Sequence, residues 1–168
     1  MWSSSRRALL ALPLALAACG FSPAFGPSGP ATALLGQVDV ADLNTRGGFD
    51  FIQQMEKRLG RGAGGRFALS YDIETEKVSL GFTTDGAITR YNLLGRVTWQ
   101  LKEAATGREL AAGVEKNFTS WSATGITIAA VNAETDAEAR LMRILADQIA
   151  TRLIALSSQL PPLAAKAP

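Results

Sequence analysis

The chain has 168 residues, no histidine and one cysteine, Cys19, which excludes a histidine general base, a histidine metal ligand and an internal disulfide. Two of its 17 basic residues, Arg6 and Arg7, precede Cys19, and the other 15 balance 15 acidic residues. The chain after Cys19 therefore has no net charge, which disfavours nucleic acid as a partner. Its length suits a single domain with a hydrophobic core.

Residues 1–18 have the layout of a secretory signal peptide, because Arg6 and Arg7 precede an apolar run from Ala8 to Ala18. This run is too short for a membrane-spanning helix, which needs about 20 residues. It ends in the sequence LAAC at 16–19, which resembles the bacterial lipobox, where the cysteine is lipidated after the preceding peptide is removed. We predict a signal peptide over 1–18 and a lipid on Cys19; the alternative is an ordinary cleavage site beside an incidental cysteine.

A lipid at Cys19 predicts that the mature protein is anchored to a membrane, since each buried methylene contributes about 0.8 kcal/mol and two chains give stable attachment. Gly20 follows the cysteine. An aspartate there resembles an inner-membrane retention signal in enteric bacteria, so its absence favours the outer membrane. Residues 19–33 are rich in glycine, proline, serine and alanine, which predicts a lipidated tether.

The next segment predicts a strand followed by a helix. Residues 34–40 alternate weakly and indicate a first strand. Ile52, Met55 and Leu59 are spaced by three and four residues, so they share one face of a helix predicted from Phe49 to Leu59. The glycines at 60, 62, 64 and 65 end this helix. Because a phosphate-binding loop precedes its helix, we predict only a flexible connection here.

Three alternating segments then predict an antiparallel meander with turns at Asp85-Gly86 and Thr106-Gly107. In the first segment, the apolar positions change from odd to even numbers, which predicts a bulge or break near 74–77. The apolar faces are assigned to Phe67, Leu69, Tyr71 and Ile73, then Val78, Leu80 and Phe82; to Tyr91, Leu93, Val97, Trp99 and Leu101; and to Leu110, Ala112, Val114 and Phe118.

Residues 122–133 are predicted as a loop of small residues before a long helix. The apolar stripe of that helix comprises Ala137, Leu141, Ile144, Leu145, Ile149, Leu153 and Leu156. Pro161 and Pro162 belong to a predicted disordered tail over 158–168. The chain over 34–157 is thus predicted as one α+β domain, with two helices on one face of a four-stranded mixed sheet in the order β-α-β-β-β-α. The other face is expected to be polar.

The sequence shows no catalytic constellation, phosphate loop or metal-ligand spacing, so we predict no enzyme, no cofactor and no metal. A hydrolase using carboxylates such as Asp72 or Glu74 remains an alternative, although their position on the polar strand face favours solvated charges. Trp99 has the parity of the core. Trp121 lies beside a loop and is assigned either to packing at the rim or to contact with a partner.

The sequence CGFSPAFG at 19–26 resembles the beginning of the LptE family of lipopolysaccharide-assembly lipoproteins, particularly its alphaproteobacterial branch, with Phe25 in place of the usual tyrosine. Further similar segments follow in the family's order: TRYNL at 89–93, the hairpin from Leu101 to Gly107, DAEAR at 136–140 and LADQIATRL at 145–153. The family often has tyrosines between the last strand and the last helix. Here SWS at 120–122 and IAA at 128–130 occupy that stretch.

The resemblance implies a non-enzymatic outer-membrane subunit that plugs the LptD barrel, helps it to assemble and helps to deliver lipopolysaccharide to the cell surface. The implied partners are the LptD-type barrel, lipopolysaccharide and the outer membrane through the acyl chains. A second possibility is an auxiliary lipoprotein of another periplasmic, ABC-type lipid or solute transport complex. Because lipopolysaccharide carries phosphates, its candidate contacts are the basic residues of the strands, namely Arg90, Arg96, Lys102 and Lys77. Ordinary solvated charges are the alternative.

Overall fold

The computed structural model describes residues 26, 29–123 and 127–160. The predicted order β-α-β-β-β-α is confirmed, with short 3-10 helices at Pro30–Ala33 and Ser157–Gln159 at the two ends. The elements are β1 (Val38–Val40), α1 (Arg46–Leu59), β2 (Phe67–Phe82), β3 (Ile88–Glu103), β4 (Glu109–Ser122) and α2 (Thr127–Leu156). The signal peptide, Cys19 and residues 161–168 lie outside the described residues.

The sheet has the order β1-β2-β3-β4, in which β1 pairs with β2 in parallel and the other neighbours are antiparallel. Both helices contribute to a core with Val38 of β1 and the odd-numbered side chains of β2 and β3, so they lie on the same face of the sheet. The fold class predicted from the sequence is therefore confirmed. The predicted first strand over 34–40 is shorter, because only Val38–Val40 pairs with β2.

Helix α1 begins three residues before the predicted Phe49. The Thr45 hydroxyl caps it by accepting a hydrogen bond of 3.0 Å from the Gly48 amide, and Gly60 ends it at a φ of 77°. Gly48 disfavours a helix by intrinsic propensity, which explains the later predicted start. Glycine fits here because the preceding chain segment passes too close for a side chain: a Cβ at Gly48 would lie 2.5 Å from the Leu43 carbonyl oxygen.

Helix α2 confirms the predicted apolar stripe, whose central residues are all fully buried: Ala137, Leu141, Leu145, Ile149 and Leu153. The predicted loop over 122–133 is wrong in its second half, because the helix already begins at Thr127. The alanines of that segment favour a helix, but its turns lack the apolar stripe by which the rest of α2 was recognised.

The predicted bulge or break near 74–77 is wrong. The pairing of β2 with β3 runs in one register from Phe67 opposite Glu103 to Phe82 opposite Ile88. Because successive side chains of a strand point to opposite faces, Lys77 lies on the same face as the helices. The even-numbered apolar residues that suggested a break, Val78, Leu80 and Phe82, instead lie on the face away from the helices.

From Ala111 onwards, strand β4 also faces the opposite way from the prediction, whereas Leu110 packs against the core as predicted. Its pairing places Gly113 opposite the core residue Trp99 and Trp121 opposite Tyr91, so the odd-numbered residues of β4 face the helices. Val114 and Phe118, which were predicted to face the core, are exposed on the other side. The pairing of β3 with β4 shifts in register between Leu101 and Lys102. The residues next to the hairpin turn therefore pair in a different register from the rest of β4.

The folded part of the chain extends beyond the predicted limits of 34–157. Ala31 is fully buried although it belongs to the segment predicted as tether, and Leu34 is part of the core. At the other end, Leu160 packs against the same core. The domain therefore includes residues immediately before and after the two predicted boundaries.

The glycine-rich loop at 60–65, which was predicted as a flexible connection, packs against β1 and the residue before it. The Gly65 amide donates a hydrogen bond of 3.0 Å to Asp39 Oδ2. A Cβ at Gly65 would lie 2.4 Å from the Gln37 carbonyl oxygen, which also accepts a 2.9 Å hydrogen bond from the Phe67 amide. The loop thus fixes the approach of β1 to β2.

Gly65→Ala is expected to lower the free energy of unfolding by about 1–3 kcal/mol, because the added methyl group overlaps with backbone atoms that cannot rotate away. The sign of the change is diagnostic. In an open loop, the same substitution would raise stability by about 0.4–1 kcal/mol through the lower entropy of the unfolded chain. Urea unfolding followed by circular dichroism measures it, and a stabilised variant would contradict the packing of this loop.

Candidate functional site

The face of the sheet away from the helices, here called the open face, presents the even-numbered residues of 68–82, 88–102 and 112–122. Of the basic residues predicted to contact lipopolysaccharide, Arg90 and Arg96 are exposed on this face and Lys102 is half-buried there. Arg90 and Arg96 are six residues apart, or about 20 Å along an extended strand. The three basic residues therefore share a face, but they do not form one compact site.

Lys77 does not join them, because it lies on the opposite face of the sheet. Its Nζ is 2.7 Å from Oε1 of Glu134 in α2 and 4.7 Å from the centre of the Tyr91 ring. This ion pair and cation–π contact link β2, β3 and the first half of α2. In the structure, Lys77 therefore attaches the helix to the sheet, away from the other three predicted residues.

Trp121 is largely buried, with 6% of its surface exposed. Its ring stacks on that of Tyr91 with 5.3 Å between the centroids, and Lys77 Nζ lies 5.5 Å from it. Of the two predicted assignments for Trp121, the structure thus favours packing at the rim over contact with a partner. Trp99 is in the core, as its parity predicted.

The middle of the open face is an apolar strip beside a row of charges. Leu94 of β3 lies directly opposite Phe118 of β4. In the next row, Arg96 is paired in register with Glu74 on one side and Lys116 on the other. Together these residues line a shallow depression of about 510 Å³. We define the central patch as Glu74, Glu76, Leu94, Arg96, Lys116 and Phe118.

The charged side chains of the central patch are available for contacts. They are Glu74, Glu76, Arg96 and Lys116. Among the described residues, none of the four makes an ion pair within 4.0 Å or a side-chain hydrogen bond. Some charges elsewhere in the chain do form pairs, as Arg66 does with Glu103 at 3.2 Å. The open face therefore combines exposed apolar side chains with unpaired charges of both signs.

The end of the open face near the β2–β3 turn has a different character. Leu80 and Phe82 are exposed there, and Ile88 pairs with Phe82. Arg90 lies between Leu80 and Ser122 in the pairing of the three strands. This apolar end was not predicted, although the sequence contains one signal for it: apolar residues recur at even positions in all three strands.

The described residues offer little for catalysis or metal binding. No group of three or more potential ligands could hold a metal ion within this part of the chain. Asp72 and Glu74, the carboxylates of the hydrolase alternative, are exposed on the open face. Burial, with a smaller contribution from Asp42, raises the pKa of Tyr71 to about 12, so this phenol stays protonated at neutral pH and is unsuited to act as a base.

The fold and the surface together define the structural class of this protein, which is a two-layer α+β domain. Helices cover one face of its sheet, and the other face is bare and only partly polar. The chain belongs to the LptE family of lipopolysaccharide-assembly proteins, whose family model matches residues 35–153. No curated protein sequence matches the chain. The helices of the described part are not long and apolar enough to cross a membrane.

Solved structures of bacterial lipoproteins share the fold. A candidate lipoprotein from Caulobacter crescentus is 20% identical with a TM-score of 0.67, covering 80% of this chain and 100% of that one. Rare lipoprotein B from Shewanella oneidensis is 12% identical with a TM-score of 0.56, and the coverage is 73% and 96%. Lipoprotein B from Nitrosomonas europaea is 16% identical with a TM-score of 0.55, and the coverage is 72% and 82%. At these identities the similarity is one of fold.

Proposed function

We propose that this protein is an outer-membrane subunit of the lipopolysaccharide translocon, anchored by a lipid on Cys19. In this role it plugs an LptD-type barrel, helps that barrel to assemble and takes part in delivering lipopolysaccharide to the cell surface. The observation that carries the proposal is the family match over residues 35–153, which includes most of the folded domain. The protein acts by binding and has no catalytic step in this proposal.

The surface is compatible with this role. The lumen of a membrane barrel is polar, so a plug needs an exterior that tolerates polar surroundings. The open face offers unpaired charges of both signs, and the chain after Cys19 is electrically neutral overall. A neutral plug avoids a large electrostatic cost whichever sign prevails on the wall around it.

Purification in mild detergent tests the proposal. The full-length, tagged protein is expressed in a cell that makes LptD, and the co-eluting proteins are identified by mass spectrometry. We expect the LptD barrel to co-elute in a near-equal amount. Recovery of the subunits of another periplasmic, ABC-type transport complex in place of the barrel would contradict the proposal.

Arg90 is the residue that we propose for direct contact with lipopolysaccharide. It is exposed, it has no ion-pair partner among the described residues, and it lies beside the apolar side chain of Leu80. Lipopolysaccharide has both phosphates and acyl chains. The guanidinium group of Arg90 can bind a phosphate, and the apolar side chains beside it can contact the acyl chains. Arg96 is less suitable because Glu74 lies opposite it in the pairing.

Arg90→Glu is expected to weaken the binding of lipopolysaccharide about tenfold, since hydrogen bonds to charged groups contribute about 1.5–3 kcal/mol and about 1.4 kcal/mol is tenfold. The loss should shrink at high salt, because screening acts on exposed charges. Binding of the purified protein to lipopolysaccharide at two salt concentrations measures it. Arg46→Glu is the matched control, being an exposed charge reversal on α1. If both variants fold and bind lipopolysaccharide equally well, Arg90 does not contact the lipid and serves only to keep the protein soluble.

A further inference from the structure

We infer that the central patch of the open face is a docking surface for protein, namely the inner wall of the barrel, and that it does not bind lipopolysaccharide. This inference rests on the proposed function, and it assigns the binding of the barrel to six side chains of the bare sheet face. The same face then has two parts: the central patch for the wall, and the end around Arg90 for lipid.

The first argument is the exposure of two large apolar side chains side by side. Leu94 is 38% exposed and Phe118 is 57% exposed, and they lie directly opposite each other on neighbouring strands. On the other face of the same strands, Val97, Trp99 and Leu101 are covered by the helices. Apolar side chains of this size gain about 25 cal/mol for each square ångström removed from water, which favours a contact that covers them.

The second argument is the size of the open face. Three strands that are about 4.8 Å apart and about 50 Å long present roughly 700 Å². A stable protein–protein interface buries about 800 Å² on each partner. The open face without the end around Arg90 therefore supplies a large part of the area that such a contact needs, with the central patch near the middle of the face, where binding energy concentrates.

The third argument is the arrangement of charge across the patch. Glu74 and Glu76 lie on β2, whereas Arg96 and Lys116 lie on β3 and β4, and all four are unpaired among the described residues. A phosphorylated lipid carries negative charge only, so the two glutamates would repel it. A strand wall can present basic side chains opposite β2 and acidic ones opposite β4 at a fixed spacing, which makes protein the better match.

Phe118→Glu tests the inference, with Phe49→Glu as its control. Phe49 is 67% exposed on α1 and Phe118 is 57% exposed, so the same change is made at similar exposure outside the open face. Each full-length variant is co-expressed with the LptD barrel, and retention of the barrel and binding of purified lipopolysaccharide are both measured. We expect Phe118→Glu to retain the barrel at least about tenfold less well than the parent does, because an apolar anchor is replaced by an unpaired charge. Phe49→Glu should behave like the parent, and lipopolysaccharide binding should be unchanged in both.

The outcomes separate this inference from the proposed function. If the parent itself fails to retain the barrel, the proposed function is overturned and the inference with it. If the parent and Phe118→Glu retain the barrel equally, the proposed function stands and the docking surface is wrong. If Phe118→Glu loses lipopolysaccharide and keeps the barrel, the patch belongs to lipid. Lys116→Glu, a charge reversal at an exposed strand position, repeats the test should Phe118→Glu lose its circular dichroism signal.

Discussion

Leu145→Asp is expected to leave no folded domain at 25 °C, and Leu145→Ala to lower the free energy of unfolding by about 2–5 kcal/mol. Leu145 is fully buried at the centre of α2, and a Cβ added at Gly95 of β3 would lie 2.9 Å from its Cδ1. Aspartate loses the same apolar contacts and in addition buries a carboxyl group without a partner. The two costs together approach the 5–15 kcal/mol that stabilises a typical domain.

Urea unfolding followed by circular dichroism measures both variants. The control is Ile128→Asp, which makes a comparable change on the same helix at a side chain that is 73% exposed. We expect the control to keep the midpoint of the parent to within about 0.5 kcal/mol, as surface substitutions usually do. A Leu145→Ala variant with the parent's midpoint would show that the stripe of α2 does not form the core.

The helices were the more predictable part of this fold. The stripe from Ala137 to Leu153 repeats at helical spacing over several turns, so its buried face could be inferred without a partner. The buried face of α1 was predicted in part, because Met55 and Leu59 are in the core but Phe51 takes the place that was assigned to Ile52. The starts of both helices were predicted too late, because Gly48 and the residues after Thr127 lack a periodic apolar pattern. At these positions, the start of the helix is determined by the surrounding tertiary contacts and, in α1, by the capping hydrogen bond of Thr45.

The faces of the strands were less predictable because β2 and β4 carry apolar side chains on both sides. In β4, Val114 and Phe118 suggest one face, whereas the structure buries Thr119 and Trp121 on the other. Alternation indicates that a strand has two faces, but it does not indicate which face the core covers. That choice depends on the register with β3, in which Trp121 meets Tyr91. Register is a tertiary property, and local sequence did not supply it.

The candidate site was predictable in part. The even parity of Arg90, Arg96 and Lys102 placed them on one face, and the structure agrees. The position of Lys77 could not be predicted, because its partner Glu134 is 57 residues away along the chain. The central patch was missed because Phe118 had been assigned to the core and Leu94 to neither face of the sheet. An error in strand parity thus hid the docking surface that we now propose.

Cys19→Ser is expected to abolish attachment of lipid to this protein, because the sequence contains no other cysteine. Cys19 lies outside the described residues, so the prediction rests on the lipobox-like sequence at 16–19. The structure limits the length of the tether: the folded domain already includes Ala31, and Gly29 follows Cys19 by ten positions. An extended chain of that length reaches about 33–36 Å, so the domain stays within that distance of the lipid.

Metabolic labelling with a radioactive fatty acid decides the matter, with the amount of protein measured by immunoblot. The control moves the thiol without removing it: in Cys19→Ser with Ser28→Cys, a cysteine is present but no longer follows the lipobox-like sequence. We expect label in the parent and none in either variant, because recognition depends on the position of the thiol and on the residues before it. Stable membrane binding needs about two acyl chains, so both variants should also move to the soluble fraction once the signal peptide is removed. Label in Cys19→Ser would overturn the lipid assignment, and label in the double variant would show that a cysteine is accepted outside the lipobox-like sequence.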